Sequence, residues 1–91
     1  MTFQQASAVA DRLDGLEVGQ RARVRAVDGR GSMTVRLLEM GFVPGVEVAL
    51  IKRAPLGDPL ELRLRGYHVS LRKAEARLIS IEAFADNEVQ P

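Results

Sequence analysis

The stretch Leu60-Glu61-Leu62-Arg63-Leu64-Arg65-Gly66 decides the fold class of this 91-residue chain. Its leucines alternate strictly with charged residues, which predicts a half-buried β-strand with the leucines facing the core and Arg63 and Arg65 facing outward. Gly66 interrupts the alternation and predicts a bulge or a bend, after which Tyr67–Leu71 resumes the strand. The fold is therefore expected to be built on short strands.

Three further segments predict strands on either side of this stretch. Residues 46–53 place Val46, Val48 and Leu50 on one face, and residues 78–82 form a closing strand after a short turn or helical piece over 72–77. Residues 20–27 alternate as well. They divide into an outward row of Arg21, Arg23 and Arg25 and an inward row of Ala22, Val24 and Ala26. The segment 54–59 predicts a hairpin loop, since its two prolines, its glycine and its aspartate favour tight turning.

A single helix is predicted over residues 33–40. Met33, Leu37 and Met40 recur at helical spacing, Ser32 suits the N-cap position, and Gly41 suits the left-handed residue that ends a helix. The methionines and leucines of this helix are expected in the core; the alternative is that they form part of an exposed groove for a partner. Beyond it, Pro44-Gly45 fits the central positions of a type II turn.

These elements predict a mainly β domain, a small SH3-like barrel of about five strands with one short inserted helix. A barrel is also expected to remove the sheet edges, which a chain of this size covers poorly. The domain is expected to span residues 13–83. It follows an N-terminal segment, 1–12, with one helical turn, and precedes a polar tail, 84–91.

The composition excludes several classes of function. The chain has no cysteine and one histidine, which excludes disulfide scaffolds, thiolate metal sites and cysteine nucleophiles. No serine has the surroundings of a nucleophile and no glycine-rich loop has the spacing of a phosphate cradle, so no enzyme activity and no cofactor are expected. Neither a transmembrane stretch nor a secretory signal is apparent, which predicts a cytoplasmic location.

The charge pattern leaves two alternatives open. Residues 21–77 carry twelve Arg and Lys against six acidic residues, so a nucleic-acid-binding barrel is one alternative. The aromatic side chains that would stack on bases are few: Phe3, Phe42, Tyr67 and Phe84. The other alternative is a metal-sensing module that gathers scattered carboxylates around a divalent ion.

Two motifs, in this order, resemble the ferrous iron transport protein A (FeoA) family. The first is residues 36–45, RLLEMGFVPG, and the second is residues 54–62, APLGDPLEL, followed by Arg65-Gly66-Tyr67 and by residues 70–73. The resemblance runs from about Leu13 to Ile81. It implies an SH3-like barrel, a cytosolic bacterial protein and a partner in the GTP-binding ferrous iron transporter of the inner membrane, contacted on its cytosolic side.

The resemblance directs attention to two groups of residues. The helix and turn motif supplies Leu38, Met40, Gly41, Phe42, Pro44 and Gly45. A docking surface is expected at Leu56, Gly57, Asp58, Arg63 and Arg65, because Pro55 and Pro59 stiffen the loop and Leu56 lies at its tip. The alternative for Leu56 is that it folds back over the end of the barrel. With one histidine and no cysteine, the chain is not expected to carry iron, and contact with a partner is the favoured mode of action.

Overall fold

A computed structural model describes residues 11–83. The expected helical turn within residues 1–12 and the expected polar tail lie outside the described residues, apart from Asp11 and Arg12. A short 3-10 turn, Leu13–Gly15, precedes five strands and two helices. In chain order these are β1 (Arg21–Val27), α1 (Ser32–Met40), β2 (Glu47–Arg53), β3 (Leu60–Leu64), β4 (Tyr67–Leu71), α2 (Lys73–Ala76) and β5 (Ile79–Ala83).

All five strands belong to one antiparallel sheet with the order β4-β3-β2-β1-β5. Residues from every strand meet in a single core, so the sheet curls around its inward face. The expectation of a mainly β domain is confirmed. The expectation that closure removes the edges is wrong, because β4 and β5 do not pair with each other in the described chain.

The leucine row of β3 forms the centre of the core. Leu60, Leu62 and Leu64 are fully buried, as their alternation predicts. Inward residues of the other strands and Leu37 of α1 surround them. The remaining fully or almost fully buried side chains are Leu13, Leu16, Ala22, Val24, Leu37, Phe42, Val48, Leu50, Leu71, Ala76, Ile79 and Ile81.

Two irregularities change which side chains face inward. The pairing of β1 with β5 shifts between Val24 and Ala26, so that Ala26 is exposed and Val27 packs against the core. The predicted inward position of Ala26 is therefore wrong, because a bulge advances the strand by one residue. A second shift lies between Leu50 and Lys52 in the pairing of β2 with β3.

The β3–β4 connection is tighter than the sequence predicts. Arg65 and Gly66 both have positive φ, 55° and 87°, and Leu64 pairs with Tyr67 across them. These two residues form a two-residue hairpin turn of the type that matches the twist of the flanking strands. Arg65 is therefore a turn residue and not part of β3, and Gly66 marks a full reversal of the chain in place of a bulge.

The helix α1 begins one residue earlier than predicted. Gly31 occupies the N-cap position, and Ser32 is the first helical residue, so the predicted Ser32 cap is wrong. The Thr34 hydroxyl instead donates to the Asp28 carbonyl at 2.8 Å and ties the helix to the preceding loop.

The C-terminus of α1 ends as predicted, at Gly41 with φ 114°. The Gly41 N–H donates to the Leu38 carbonyl and the Phe42 N–H to the Leu37 carbonyl, which together form a Schellman motif. Phe42 then enters the core. Pro44 and Gly45 form the predicted turn, closed by the Val46 N–H donating to the Val43 carbonyl at 3.1 Å.

Replacing Gly41 tests this helix stop. Gly41→Ala is expected to lower the free energy of unfolding by roughly 1–3 kcal/mol, since an L side chain at positive φ is strained. A Cβ there would also approach the Tyr67 hydroxyl at 3.2 Å and the Leu64 side chain at 3.3 Å. Gly31→Ser is the control, because Gly31 has φ −81° and open space around it, and serine is favoured at the N-cap position that Gly31 occupies. Urea denaturation of both variants gives the comparison, and equal losses would show that the Gly41 conformation is not the constraint.

Candidate protein-interaction surface

The loop between β2 and β3 holds one apolar side chain out in solvent. Leu56 is 96% exposed. It follows Pro55 in a β-turn closed by the Gly57 N–H donating to the Ala54 carbonyl at 2.7 Å, with Gly57 at φ 89°. The alternative that Leu56 folds back over the barrel is therefore wrong.

The base of this loop is fixed by two further hydrogen bonds. The Ala54 N–H donates to the Pro59 carbonyl at 3.0 Å, which closes the loop on itself. The Asp58 carboxylate accepts from the Lys73 N–H at 2.8 Å and links the loop to the start of α2. Asp58, predicted as a docking residue, thus already has a partner within the domain. These contacts give the loop a defined shape before any partner binds.

Arg63 lies on β3, the strand that leaves the loop, and Arg65 lies just beyond the end of that strand. Arg63 projects from the outer face of β3, and Arg65 lies in the turn at the far end of that strand, roughly 16 Å from the loop for a strand of this length. Within residues 11–83, neither side chain makes a hydrogen bond or an ion pair. Leu56 and Arg65 therefore mark opposite ends of β3, with Arg63 between them.

A shallow cleft of about 320 Å³ connects the two arginines to the neighbouring strand. Val46 and Ala49 supply its apolar part, and the remaining lining residues are Glu47, Arg63, Arg65 and Gly66. Glu47 accepts a hydrogen bond from Arg21 at 3.1 Å, so its charge is compensated by a neighbour. The cleft consequently presents a mildly basic rim beside a small apolar patch.

The helix and turn motif serves mainly to build the fold. Gly41, Pro44 and Gly45 shape the chain reversals, and Phe42 and Met40 pack in or against the core. Leu38 is the exposed large apolar side chain of the motif, at 39% exposure, and Pro44 and Gly45 of the turn are exposed as well. The motif thus combines core residues with residues that lie at the surface.

The helix also exposes apolar residues that were expected inside. Met33, Val35 and Leu38 are all exposed, and α1 buries only Thr34 and Leu37 fully. The expectation that the helix methionines and leucines lie in the core is therefore wrong for Met33 and Leu38. A helix of two and a half turns lying on a curled sheet contacts it along one narrow stripe, and residues beside that stripe remain in solvent.

Several polar residues have structural roles that the sequence did not predict. The Tyr67 hydroxyl donates to the Met40 carbonyl at 2.7 Å and so satisfies a free carbonyl at the end of α1. The buried Glu75 carboxylate accepts from the Arg72 N–H at 2.9 Å and from Arg36 at 2.6 Å. The Arg53 guanidinium donates to the carbonyls of Asp14 and Leu16 at 2.8 and 2.7 Å. The only available signal was the position of Tyr67 and Glu75 beside turns.

The structure gives little support to the two alternatives from the charge pattern. Within residues 11–83, arginines form the ion pairs Arg12–Asp28, Arg21–Glu47, Arg36–Glu75 and Arg77–Asp14. Among the described aromatic residues Phe42 is buried and Tyr67 is held by its hydroxyl, which leaves no row of rings for stacking. No group of three or more potential metal ligands is found in the part of the chain that the structure describes.

No helix within residues 11–83 is long and apolar enough to cross a membrane.

Comparison with known proteins gives a consistent result. The model of the FeoA domain matches residues 12–83. A Porphyromonas gingivalis (strain ATCC BAA-308 / W83) Fe(2+) transport protein A/Fe(2+) transporter FeoB fusion protein is 42% identical over 76 residues. That match covers 84% of this chain, which spans only 9% of the fusion protein's length.

Solved structures agree with this match. The NMR structure of a FeoA-like protein from Clostridium acetobutylicum superposes with a TM-score of 0.79 at 36% identity, covering 84% of this chain and 88% of that one. The crystal structure of Stenotrophomonas maltophilia FeoA complexed with zinc superposes with a TM-score of 0.71 at 30% identity, and the match covers 80% of this chain and 91% of that one. The latter is described as a prokaryotic SH3 domain protein proposed to act as a bacterial ferrous iron transport activating factor.

The Tyr67 contact provides a test of its structural role. Tyr67→Phe is expected to lower the free energy of unfolding by about 0.5–1.5 kcal/mol, because it removes the hydroxyl that satisfies the Met40 carbonyl. The neighbouring His68→Ala is the control, since His68 is exposed and has no hydrogen bond within residues 11–83. If both variants melt at the temperature of the parent protein, the hydroxyl contributes nothing to the helix end.

Proposed function

Since the chain belongs to the FeoA family, whose members take part in ferrous iron transport, we propose that it is an accessory protein of bacterial ferrous iron uptake. It acts in the cytoplasm by direct contact with the cytosolic part of a GTP-binding ferrous iron transporter in the inner membrane. FeoA domains are small transport-associated domains and not an enzyme family. Contact, and not catalysis, is accordingly the mode of action proposed for this chain.

The fusion relative carries the proposal. In that protein a FeoA segment similar to this chain and a FeoB transporter form one polypeptide. Joining two modules raises their effective concentration to roughly the millimolar range, which favours a contact that separate chains make more weakly. We therefore propose that this chain makes a contact of the same kind with its transporter.

The β2–β3 loop supplies the anchor for this contact. Leu56 is apolar, almost fully exposed and held on a turn whose shape is set by internal hydrogen bonds. Burying a leucine side chain is worth about 1.5–3 kcal/mol, and a loop that is already ordered loses little entropy when it docks. Gly57 and Asp58 support the tip from below, through the positive φ of one and the Lys73 contact of the other.

Arg63 and Arg65 supply the electrostatic part of the surface. Their guanidinium groups have no ion-pair partner within residues 11–83 and line the cleft beside Ala49. Charges at the rim of an interface mainly raise the association rate and orient the partners. Acidic groups on the cytosolic part of the transporter are the proposed counterpart.

A substitution at the loop tip tests the proposed contact. Leu56→Glu is expected to weaken co-purification with the detergent-solubilised transporter roughly tenfold or more, while the melting temperature stays within about 2 °C of the parent. Val18→Glu is the matched control, since Val18 is another exposed apolar residue in a turn, at 59% exposure. Retention of the transporter by Leu56→Glu at the level of the parent protein would remove Leu56 from the contact.

Charge reversal at Arg63 and Arg65 tests the electrostatic part of the proposed surface. The double variant Arg63→Glu, Arg65→Glu is expected to slow association with the transporter and to flatten its dependence on salt, as measured by surface-immobilised binding kinetics. The control is Arg25→Glu, Arg30→Glu, which changes the net charge equally on exposed residues outside the cleft. Identical salt dependence in the two double variants would contradict a role for Arg63 and Arg65 in docking.

A further inference from the structure

The strand β4 has an open edge. It is one of the two outer strands of the sheet, and the other, β5, is partly covered. Arg12 forms a bridge with Ser80, and the Ile81 N–H donates to the Asp11 carbonyl at 3.1 Å. No segment within residues 11–83 pairs in this way with the outer side of β4.

The register identifies the backbone groups on this edge. In the two-residue turn, the Tyr67 N–H is directed back to Leu64. Hydrogen-bonding direction alternates along an antiparallel strand, so Tyr67, Val69 and Leu71 face β3, and His68 and Ser70 direct their N–H and C=O groups away from the sheet. Both residues are exposed, and neither has a further hydrogen bond in the described chain.

The charge around this edge favours one kind of occupant. The segment 58–75, from the end of the loop to α2, carries four cationic side chains, Arg63, Arg65, Arg72 and Lys73, against three acidic ones, Asp58, Glu61 and Glu75. Because Glu75 is buried and paired with Arg36, the four cations exceed the two remaining carboxylates. Arg65 precedes β4, and Arg72 and Lys73 follow it, so cationic side chains lie at both ends of the open edge, with the Asp58 carboxylate beside Lys73 at the second end. Acidic side chains on an added strand would lie close to both ends.

We propose that β4 binds an extended acidic segment of another protein by strand addition. The backbone groups of His68 and Ser70 pair with the added strand, and the basic ends select for negative charge. The proposal does not depend on the Leu56 loop or on the identity of the transporter, because it rests on the open edge and its charges; Arg63 and Arg65 belong to both proposed surfaces.

A second copy of this chain fits the edge less well. Antiparallel two-fold pairing centred on Val69 places Arg65 of one copy opposite Lys73 of the other and Gly66 opposite Arg72. Like charges directly opposite each other destabilise a strand pair. The basic ends thus disfavour self-association and favour an acidic partner.

Amide hydrogen exchange followed by NMR tests the edge directly. The probe is a seven-residue peptide of alternating glutamate and valine with blocked ends, added to the intact protein at about 1 mM. The His68 and Ser70 amides are expected to exchange rapidly in the free protein and at least roughly tenfold more slowly with peptide. The Tyr67, Val69 and Leu71 amides are expected to be protected in both states.

A matched pair of variants isolates the backbone contribution. Ser70→Pro removes an N–H that faces away from β3 and is expected to weaken peptide binding roughly tenfold. Ser70→Ala keeps the N–H and is expected to bind like the parent protein. His68→Pro serves as a second blocking variant if Ser70→Pro lowers the melting temperature.

The outcomes distinguish the occupants. If the protection of the His68 and Ser70 amides rises with protein concentration in the absence of peptide, the occupant of the edge is a second copy of this chain and not an acidic partner. Equal binding of a lysine–valine peptide would overturn the role of charge, and no saturable change at these two amides would overturn strand addition. If Leu56→Glu loses transporter binding and keeps peptide binding, strand addition at β4 does not require the Leu56 loop.

Discussion

The end of α1 is the constraint on which the rest of the domain depends. Gly41 adopts a left-handed conformation, and the reversal that follows delivers Phe42 into the centre of the core. The Tyr67 hydroxyl holds the last carbonyl of the same helix from the β4 side of the sheet. One short segment therefore fixes the helix, the largest buried side chain and the β3–β4 hairpin relative to one another. A domain with so small a core has few other contacts that could replace this one.

The strand pattern was largely predictable from the sequence, and the departures have local causes. Leu60, Leu62 and Leu64 face inward as their alternation requires, because a side-chain period of two leaves no other arrangement for a half-buried strand. Ala26 departs from the pattern because a bulge in β1 inserts one residue, which is set by pairing with a strand more than fifty residues later. Arg65 departs because the turn needs two residues at positive φ, and an arginine next to a glycine does not signal this.

The candidate surface was predictable only in part. The sequence shows that Leu56 lies between two prolines at the tip of a hairpin, but it leaves open whether the side chain folds back over the barrel, and only the structure places it in solvent. The contacts that hold the loop could not be found in this way. Asp58 reaches the start of α2, fifteen residues later in the chain, and Arg53 reaches two carbonyls far earlier. Such hydrogen bonds depend on how distant segments meet, and no local spacing encodes them. The same limit applies to the exposed apolar residues of α1, since helical periodicity alone does not tell how narrow a stripe the sheet covers.

The residues that stabilise the core and the residues of the proposed docking surface are separate in this small domain. The Leu56 side chain buries almost no area in the folded chain. Its apolar character therefore adds almost nothing to the free energy of unfolding, and the stability of the fold does not explain why this residue is a leucine. The same holds for the two cleft arginines, which have no ion pair within residues 11–83. By contrast, the ion pair of Arg36 with Glu75 compensates a buried carboxylate, and removal of Arg36 would leave that carboxylate without its ion-pair partner inside the domain. Residues that stabilise the fold and residues available to a partner are thus different sets. A change at the loop tip or in the cleft is therefore expected to alter the proposed contact without lowering the stability of the core, so that the proposed surface can vary one residue at a time.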